Sequence, residues 1–274
     1  MTVFDPEAVR AFEHAGWQQA AAAYDATFAR ATAPFVEALL DTAGVTAGTK
    51  VLDVCCGTGL VTAAATVRDA RPIGLDFSSA MLKQARQSHP KLQFDEGDAA
   101  ALPHADDSFD AVVSNFGIHH VSRPDTALAD ARRVLRPGGR IVFTTWAAPA
   151  DNIAWRLLFD AIRDHGDPDA AKTPPSGGNL GSAAAVLQLL RDAGFADARA
   201  EPVCREWRVG DPRDLVAALS RGTVRTAALI AAQPAAARPA IDTAVARAAR
   251  PYRCDDAFAV PIVAILASGT KSPA

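Results

Sequence analysis

Three acidic residues and two glycines are spaced so that they could hold one small polar ligand. Asp53 precedes Cys55-Cys56-Gly57-Thr58-Gly59, Asp76 follows it by 23 residues, and Asp98 stands in Glu96-Gly97-Asp98-Ala99. A tight glycine turn at a helix N-terminus leaves backbone N–H groups unpaired and aimed at a cavity, which suits a polar or anionic group. A carboxylate at the end of a neighbouring strand can accept two hydroxyls of a sugar in two charge-assisted hydrogen bonds. The other reading of Asp76 is a helix cap, but Ser78 and Ser79 already supply one. His119 and His120 stand together further on. An imidazole of near-neutral pKa can take a proton from a nucleophile; the plainer reading of the pair is packing and hydrogen bonding of its loop.

These residues need strands whose ends lie side by side. Val51, Leu52 and Val54 form a short apolar run, the mark of a buried central strand, and the glycines break it before a helix over 59–68. Further strands are expected at 71–75, 91–94, 111–115, 140–145, 198–208 and 257–268, and helices at 125–135 and 183–193. Arg136-Pro137-Gly138-Gly139 reads as a helix stop followed by a turn. Asp5 and Pro6 make an N-cap and first position for a helix over 6–30, and a second helix over 35–40 ends near Gly44. Val9, Phe12, Ala20, Tyr24 and Phe28 fall on one face of the first, with Trp17 at its margin. In an open parallel sheet, ligands bind outside the carboxyl ends of the strands. Two helical segments, 147–180 and 209–256, leave the sheet from that side.

The glycine spacing narrows the ligand. A dinucleotide site asks for G-x-G-x-x-G, and this frame lacks the first and third glycines; a P-loop asks for Lys-Ser or Lys-Thr after them, and none follows. What remains, acidic-x-x-x-Gly-x-Gly, resembles motif I of the class I S-adenosylmethionine-dependent methyltransferases. Gly97-Asp98-Ala99 resembles the same family's later G-D-A segment. Leu135-Arg136-Pro137-Gly138-Gly139-Arg140-Ile141-Val142-Phe143 resembles its UbiE-like (methyltransferase type 11) small-molecule group. The matches run in order from about residue 50 to 146.

The resemblance implies an α/β fold: a Rossmann-like, seven-stranded, mostly parallel sheet with helices on both faces, plus N-terminal helices and a helical cap. The last strand is then antiparallel. It implies S-adenosyl-L-methionine as cofactor. Asp53, Cys55, Gly57, Thr58 and Gly59 would hold its methionine end, Asp76 its ribose, and Phe77 and Met81 the faces of its adenine. Gly97, Asp98 and Ala99 would meet the adenine edge, and Asn115 and Phe116 the methyl group. Tyr24, in a Tyr-Asp pair typical of a lid helix, is a lid candidate or a packing residue. One departure is plain, because the family most often carries glycine where this chain has Cys55. A Cβ there crowds the cofactor or demands a different turn.

The implied reaction is methyl transfer to a small-molecule acceptor, with His119 and His120 as candidate bases. Trp146, Arg221 and Arg225 are candidates to touch the acceptor. From Arg205 to Arg253 there are nine arginines against Glu206, Asp211, Asp214 and Asp242. A guanidinium captures carboxylate or phosphate well, so an anionic acceptor is expected.

Composition excludes other classes. The chain has 274 residues, 49% of them apolar and 22% charged, as in a globular enzyme with a sizeable core. Its net charge of −3 offers no electrostatic footprint for nucleic acid. Ser114-Asn115-Phe116-Gly117 stands where base-amino methylases carry (N/D)-P-P-(Y/F). Cys55, Cys56, Cys204 and Cys254 contain no C-x-x-C pair, so no metal site or disulfide framework is expected. MTVFDPEAVR has no basic and apolar leader pattern, and no apolar run reaches membrane-spanning length, so a cytoplasmic protein without membrane partners is expected. The expected division is one methyltransferase domain over 1–274. Within it lie a lid (1–45), a cofactor core (46–146), cap insertions (147–180 and 209–256) and remaining core (181–208 and 257–274). Monomer and homodimer both fit. Three rivals stay open: a cofactor-binding protein without methyl transfer, a nucleic-acid methyltransferase and, on fold alone, a nicotinamide dehydrogenase.

Overall fold

A computed structural model describes residues 4–178 and 180–273. The first three positions of the expected lid and the last position of the expected core lie outside the described residues.

The N-terminal helix, α1 (Pro6–Tyr24), starts as expected: Asp5 caps it, its Oδ1 accepting from the N–H groups of Glu7 and Ala8 at 3.0 and 3.2 Å. It ends six residues earlier than the expected 30. Thr27 turns its hydroxyl back onto the carbonyl of Ala23 at 2.6 Å, which competes with the helical ladder. A short α2 (Ala29–Thr32) and a 3-10 turn lead to α3 (Val36–Ala43), which Gly44 closes in the left-handed conformation at φ +69°.

The core alternates strand and helix: β1 (Lys50–Val54), α4 (Leu60–Val67), β2 (Arg71–Asp76), α5 (Ser79–Ser88), β3 (Gln93–Glu96), β4 (Phe109–Asn115), α6 (Pro124–Val134) and β5 (Leu135–Trp146). After β5 come α7 (Ile153–His165), α8 (Ala183–Asp192), β6 (Ala196–Val209), α9 (Arg213–Gly222), α10 (Arg225–Ala231), α11 (Arg238–Ala248), β7 (Arg253–Cys254) and β8 (Ala257–Thr270). Two boundaries differ from the expectation. The third strand is displaced from 91–94, because the Leu92 N–H closes a turn on the His89 carbonyl and pairing with β2 begins only at Gln93. Arg136-Pro137-Gly138-Gly139 is not a free turn but the irregular start of β5. Gly138 takes φ +79°, and Gly138 and Gly139 exchange backbone hydrogen bonds with Lys271.

The strand order is β3-β2-β1-β4-β5-β8-β6, and β7 pairs with β8 alone, making eight strands among the described residues where seven were expected. β1 to β5 are parallel, while β8 runs antiparallel to both β5 and β6. Alternate residues of each central strand bury on opposite faces. Leu52, Val112, Ile141 and Phe143 pack on Leu128, Val134, Val186 and Leu190 of α6 and α8. Val51, Ala111, Val113 and Val142 pack on Leu39, Leu40, Val61 and Ala65 of α3 and α4. That period of two across a sheet covered on both sides is what a mostly parallel sheet requires.

A second core lies beyond the carboxyl ends of the strands. It gathers Phe28, Phe35, Trp155, Trp207, Leu215, Leu219, Ile241 and Val245, and so joins the N-terminal segment to α7, α9 and α11. Trp207 of β6 is the largest side chain in it with almost no exposure (1%), and its ring meets Phe28 edge-on at 5.8 Å. Trp207→Ala should therefore cost about 3–5 kcal/mol, read as a lowered urea midpoint. A loss under about 1 kcal/mol would mean that this core does not stabilise the fold as described.

Candidate active site

The strand order reverses between β1 and β4, and the site lies at that switch point. A cleft holding ≈ 740 Å³ of empty space, its open mouth included, sits over the carboxyl ends of β1, β2, β3 and β4. A smaller recess of ≈ 340 Å³ shares Tyr24, Cys55, Gly57 and Asn115 with it and is lined also by Asp53 and Thr58.

Two buried carboxylates mark the ends of neighbouring strands. Asp76, closing β2, accepts the Gly57 N–H on Oδ2 and the Ser78 N–H on Oδ1, each at 2.8 Å. One side chain thus ties the glycine turn to the start of α5, and each oxygen keeps a lone pair for a hydroxyl from the cleft. Burial pushes its pKa up to about 6 against the pull of those backbone donors. Asp53 accepts the Thr62 hydroxyl on Oδ2 at 2.6 Å, while its buried Oδ1 has no hydrogen-bond partner. Burial pushes this carboxyl up to about 7, with Thr62 opposing. A buried acceptor left unsatisfied costs about 1–3 kcal/mol, so Oδ1 is poised for a donor from the recess.

The turn between them is strained at a non-glycine position. Cys55 takes φ +58°, followed by Gly57 at +55° and Gly59 at +87°. A residue with a Cβ pays about 1–2 kcal/mol for this left-handed conformation. Gly117, beyond β4, makes room for it: a Cβ there would lie 2.3 Å from Cys55 Cβ. Burial, and then Asp76 and Asp53, raise the Cys55 pKa, so the thiol stays neutral. Phe116 is held at φ +59° by its N–H donating to Thr144 Oγ1 at 2.9 Å. Thr144 donates in turn to Asn115 Oδ1 at 2.8 Å, and Asn115 Nδ2 donates to the Thr32 carbonyl at 3.1 Å. Strain thus gathers at the ends of β1 and β4, where a ligand site sits.

Helix α1 covers the cleft. Arg10 pairs with Asp98 at 2.7 Å, and Gln18 accepts from Ser78 Oγ and the Ala80 N–H at 2.9 and 2.7 Å. Just after the helix, Asp25 accepts the Thr58 hydroxyl at 2.5 Å. Arg10, Trp17 and Tyr24 line the cleft beneath it. Burial pushes the Tyr24 hydroxyl up to about 12, so it remains a donor.

The expected cofactor residues are brought together with one exception. Tyr24, Cys55, Gly57, Asp76, Phe77, Met81, Gly97, Asp98, Ala99, Asn115 and Phe116 line the cleft, and Asp53 and Thr58 line the recess. The space a Cβ would take at Gly57 is open, whereas at Gly59 it would strike the Phe94 ring at 2.7 Å. Gly59 therefore serves the packing of the turn and lines neither cavity. Asp98 already holds Arg10 and the Ala100 N–H, so an adenine amino group must share that carboxylate.

The candidates for chemistry separate more sharply. His120 lines the cleft; His119 lies behind it, with Nδ1 buried and unpartnered and its pKa well lowered by burial and by its neighbours His120 and Arg225. Trp146 stacks at 3.8 Å on the far side of Phe116 and does not line the cleft. Arg225 is spent on Glu13 Oε1 (2.7 Å), the Pro174 carbonyl and the Phe12 ring, and Arg221 borders a separate cavity among α7 and α9 to α11. The two arginines expected to capture an acceptor are thus absent from the cleft. Sequence reading missed Arg10, Glu13 and Gln18. Arg10 and Glu13 share a helical stripe with Trp17, but that spacing alone does not mark a glutamate as buried.

The geometry defines a Rossmann-like nucleoside site of the methyltransferase type, and the comparisons agree. The methyltransferase domain family matches residues 52–143. The UbiE ubiquinone/menaquinone biosynthesis C-methyltransferase of Roseobacter denitrificans is 35% identical over 200 residues, covering 60% of this chain and 72% of that one. The demethylmenaquinone methyltransferase of Renibacterium salmoninarum is 41% identical over 111 residues, covering 40% and 47%. In solved structures, the [4+2]-cyclase SpnF shares the fold with a TM-score of 0.52 at 21% identity, covering 88% of this chain and 81% of that one. The chain belongs to the class I S-adenosylmethionine-dependent methyltransferases, in their UbiE-like group. It spans about half the length of the demethylmenaquinone methyltransferases it matches.

The residues fit the family's cofactor, S-adenosyl-L-methionine. The unpartnered Asp53 Oδ1 suits its ammonium, the Asp76 carboxylate its ribose hydroxyls, and Leu75, Phe77 and Met81 the adenine faces. An ammonium selects the ionised form of Asp53. Below pH 7 the carboxyl must first lose a proton, so affinity for S-adenosylhomocysteine should rise from pH 6 to pH 8, with proton release on binding. Calorimetry in buffers of different ionisation enthalpy reads both. The raised pKa also has a sign for stability: folding gains from the bound proton below pH 3.8 and loses that gain as pH rises through 7. Asp53→Asn should accordingly raise the Tm of the free protein at pH 8 while lowering its affinity for the nucleoside. A pH-independent affinity, or a lowered Tm, contradicts this assignment.

Proposed function

We propose that this protein transfers the methyl group of S-adenosyl-L-methionine to a small aromatic acceptor bearing an ionisable hydroxyl, of the hydroquinone kind. The observation that carries the transferase reading is the pair of buried carboxylates, Asp53 and Asp76, flanking Gly57 at the ends of adjacent strands. Support for the acceptor class comes from the relatives named for quinone biosynthesis, and from the Trp17, Tyr24 and Phe116 side chains on the cleft wall. When bound, the cofactor supplies an electrophilic methyl carbon on a sulfonium, already a good leaving group. The protein's task is then alignment: Asp53 and Asp76 fix the two ends of the donor, and α1 excludes water over it. The acceptor lies against Phe116 and His120, beyond β4. The anionic acceptor expected from Arg221 and Arg225 has no counterpart in the cleft, which presents Arg10 already paired with Asp98.

The decisive test combines binding with turnover. Asp76→Ala should weaken S-adenosylhomocysteine at least tenfold, about 1.4 kcal/mol, and label from methyl-labelled cofactor should appear in a hydroquinone or phenol. Tight binding without transfer across such a panel would favour a binding protein without methyl transfer. The fold alone does not decide between them, since a cyclase shares it.

A further inference from the structure

Glu13 is the one acidic side chain of α1 that is wholly buried, with no exposure. Its two oxygens are both engaged: Oε2 lies 2.9 Å from His120 Nδ1, and Oε1 accepts from Arg225 Nε at 2.7 Å. Burial would raise the Glu13 pKa, but His120 and Arg225 together hold it below the ordinary carboxylate range. A charged carboxylate facing Nδ1 makes that nitrogen the one that carries the proton. Nε2 is then the acceptor nitrogen, and it has no protein partner among the described residues. The ring stands on the cleft wall, in the 3-10 turn Ile118–His120 just beyond Phe116 and Gly117.

The surroundings fix the ring in that pose. From α1, Trp17 meets it edge-on at 4.9 Å, and Glu13 holds its far nitrogen. From its own turn, the neutral His119 lies against it at 4.1 Å. From α10, Arg225 balances the Glu13 charge and leans over Phe12 at 5.5 Å. Arg10 of α1, one turn before Glu13 and paired with Asp98, lines the same cleft. A buried carboxylate, an imidazole bonded to it through Nδ1 and a free Nε2 on a substrate cleft is the arrangement that makes a general base.

We propose that Glu13 is a positioning residue that holds His120 with Nδ1 protonated and Nε2 facing the cleft, as the base that takes the acceptor's hydroxyl proton. This rests on the methyl-transfer reading above. The proton leaves the acceptor O–H for Nε2, giving an imidazolium paired with Glu13. The electron pair released forms the new bond to the methyl carbon, from oxygen or from the conjugated ring carbon. The carbon–sulfur bond breaks as it forms, its pair leaving with sulfur, so the sulfonium becomes a neutral thioether. Attack from carbon is completed by loss of the ring proton and return of the hydroxyl proton, so one proton is released overall by either route. Because Glu13 rides on α1, the base is complete only while the helix that covers the cleft is in place.

The tautomer is read on the full chain saturated with S-adenosylhomocysteine, whose binding is measured on the same sample, and label transfer on the full chain supplied with methyl-labelled S-adenosyl-L-methionine. Long-range ¹H–¹⁵N correlation of wild-type imidazoles should show His120 protonated at Nδ1 and bare at Nε2. The opposite tautomer overturns the proposal, and this reading needs no variant. In Glu13→Gln, the acidic limb of the rate of label transfer to 1,4-naphthohydroquinone should move to lower pH. The rate should fall at least tenfold, with S-adenosylhomocysteine affinity within threefold of wild type. An unmoved limb and an unchanged rate overturn the role of Glu13. If wild type binds S-adenosylhomocysteine but labels neither 1,4-naphthohydroquinone, a phenol nor an enolic β-diketone, the hydroxyl-proton assignment falls while the cofactor site stands. Failure to bind S-adenosylhomocysteine sinks the underlying reading instead.

Discussion

The structure depends on carboxylates kept out of water at the end of a sheet. Asp53 and Asp76 are almost fully buried, and burial lifts both above the usual range of an aspartate. Such groups persist only when hydrogen bonds compensate for lost hydration. Asp76 finds two backbone donors, and they are the reason the glycine turn and the start of α5 converge on it. Asp53 finds only Thr62, and its second oxygen is left for a ligand. A cation in the recess would satisfy that oxygen and so would link stability, proton uptake and ligand binding at one side chain.

Covering those carboxylates is the work of α1. It is joined to the core by polar contacts, Arg10 on Asp98, Gln18 on the start of α5 and Glu13 on His120, and by an apolar cluster in which Ala20 and Ala21 pack with Met81 of α5. Hydrogen bonds of this sort contribute little net free energy each compared with apolar burial, so they set the position of the helix while the apolar cluster adds to its hold. It meets α9 and α10 through a close approach at Gly16, where a Cβ would lie 2.3 Å from Val224 Cγ1. Helix α1 thus packs closely on the segment between α9 and α10, and the base proposed at His120 depends on both through Glu13 and Arg225.

Much of this was legible in the residues. The run from Val51 to Gly59, the aspartates one βα unit apart and the Arg136-Pro137-Gly138-Gly139 segment placed the core strands and most of the residues that line the cleft and its recess. Long apolar runs and glycine turns are local signals, and the parallel sheet aligns their ends without further information. What was not legible depended on long-range contact. Gly59 could not be told from a ligand-facing glycine until Phe94 was seen above it. Glu13 gave no sign of burial, because a glutamate on an amphipathic helix is ordinarily solvated and its partners lie 107 and 212 residues away. Arg225 pointed to an anionic substrate for the same reason, since its anion is Glu13 itself. The unexpected strand, β7, is only two residues long and too short to leave a pattern.

The measurement that bears most directly on the account is a crystal structure of the protein with S-adenosylhomocysteine. The account predicts the ammonium on Asp53 Oδ1, both ribose hydroxyls on Asp76 and the sulfur directed toward Phe116 and His120. A nucleoside bound elsewhere, or one lying in the cleft with Asp53 Oδ1 still unpartnered, would contradict it.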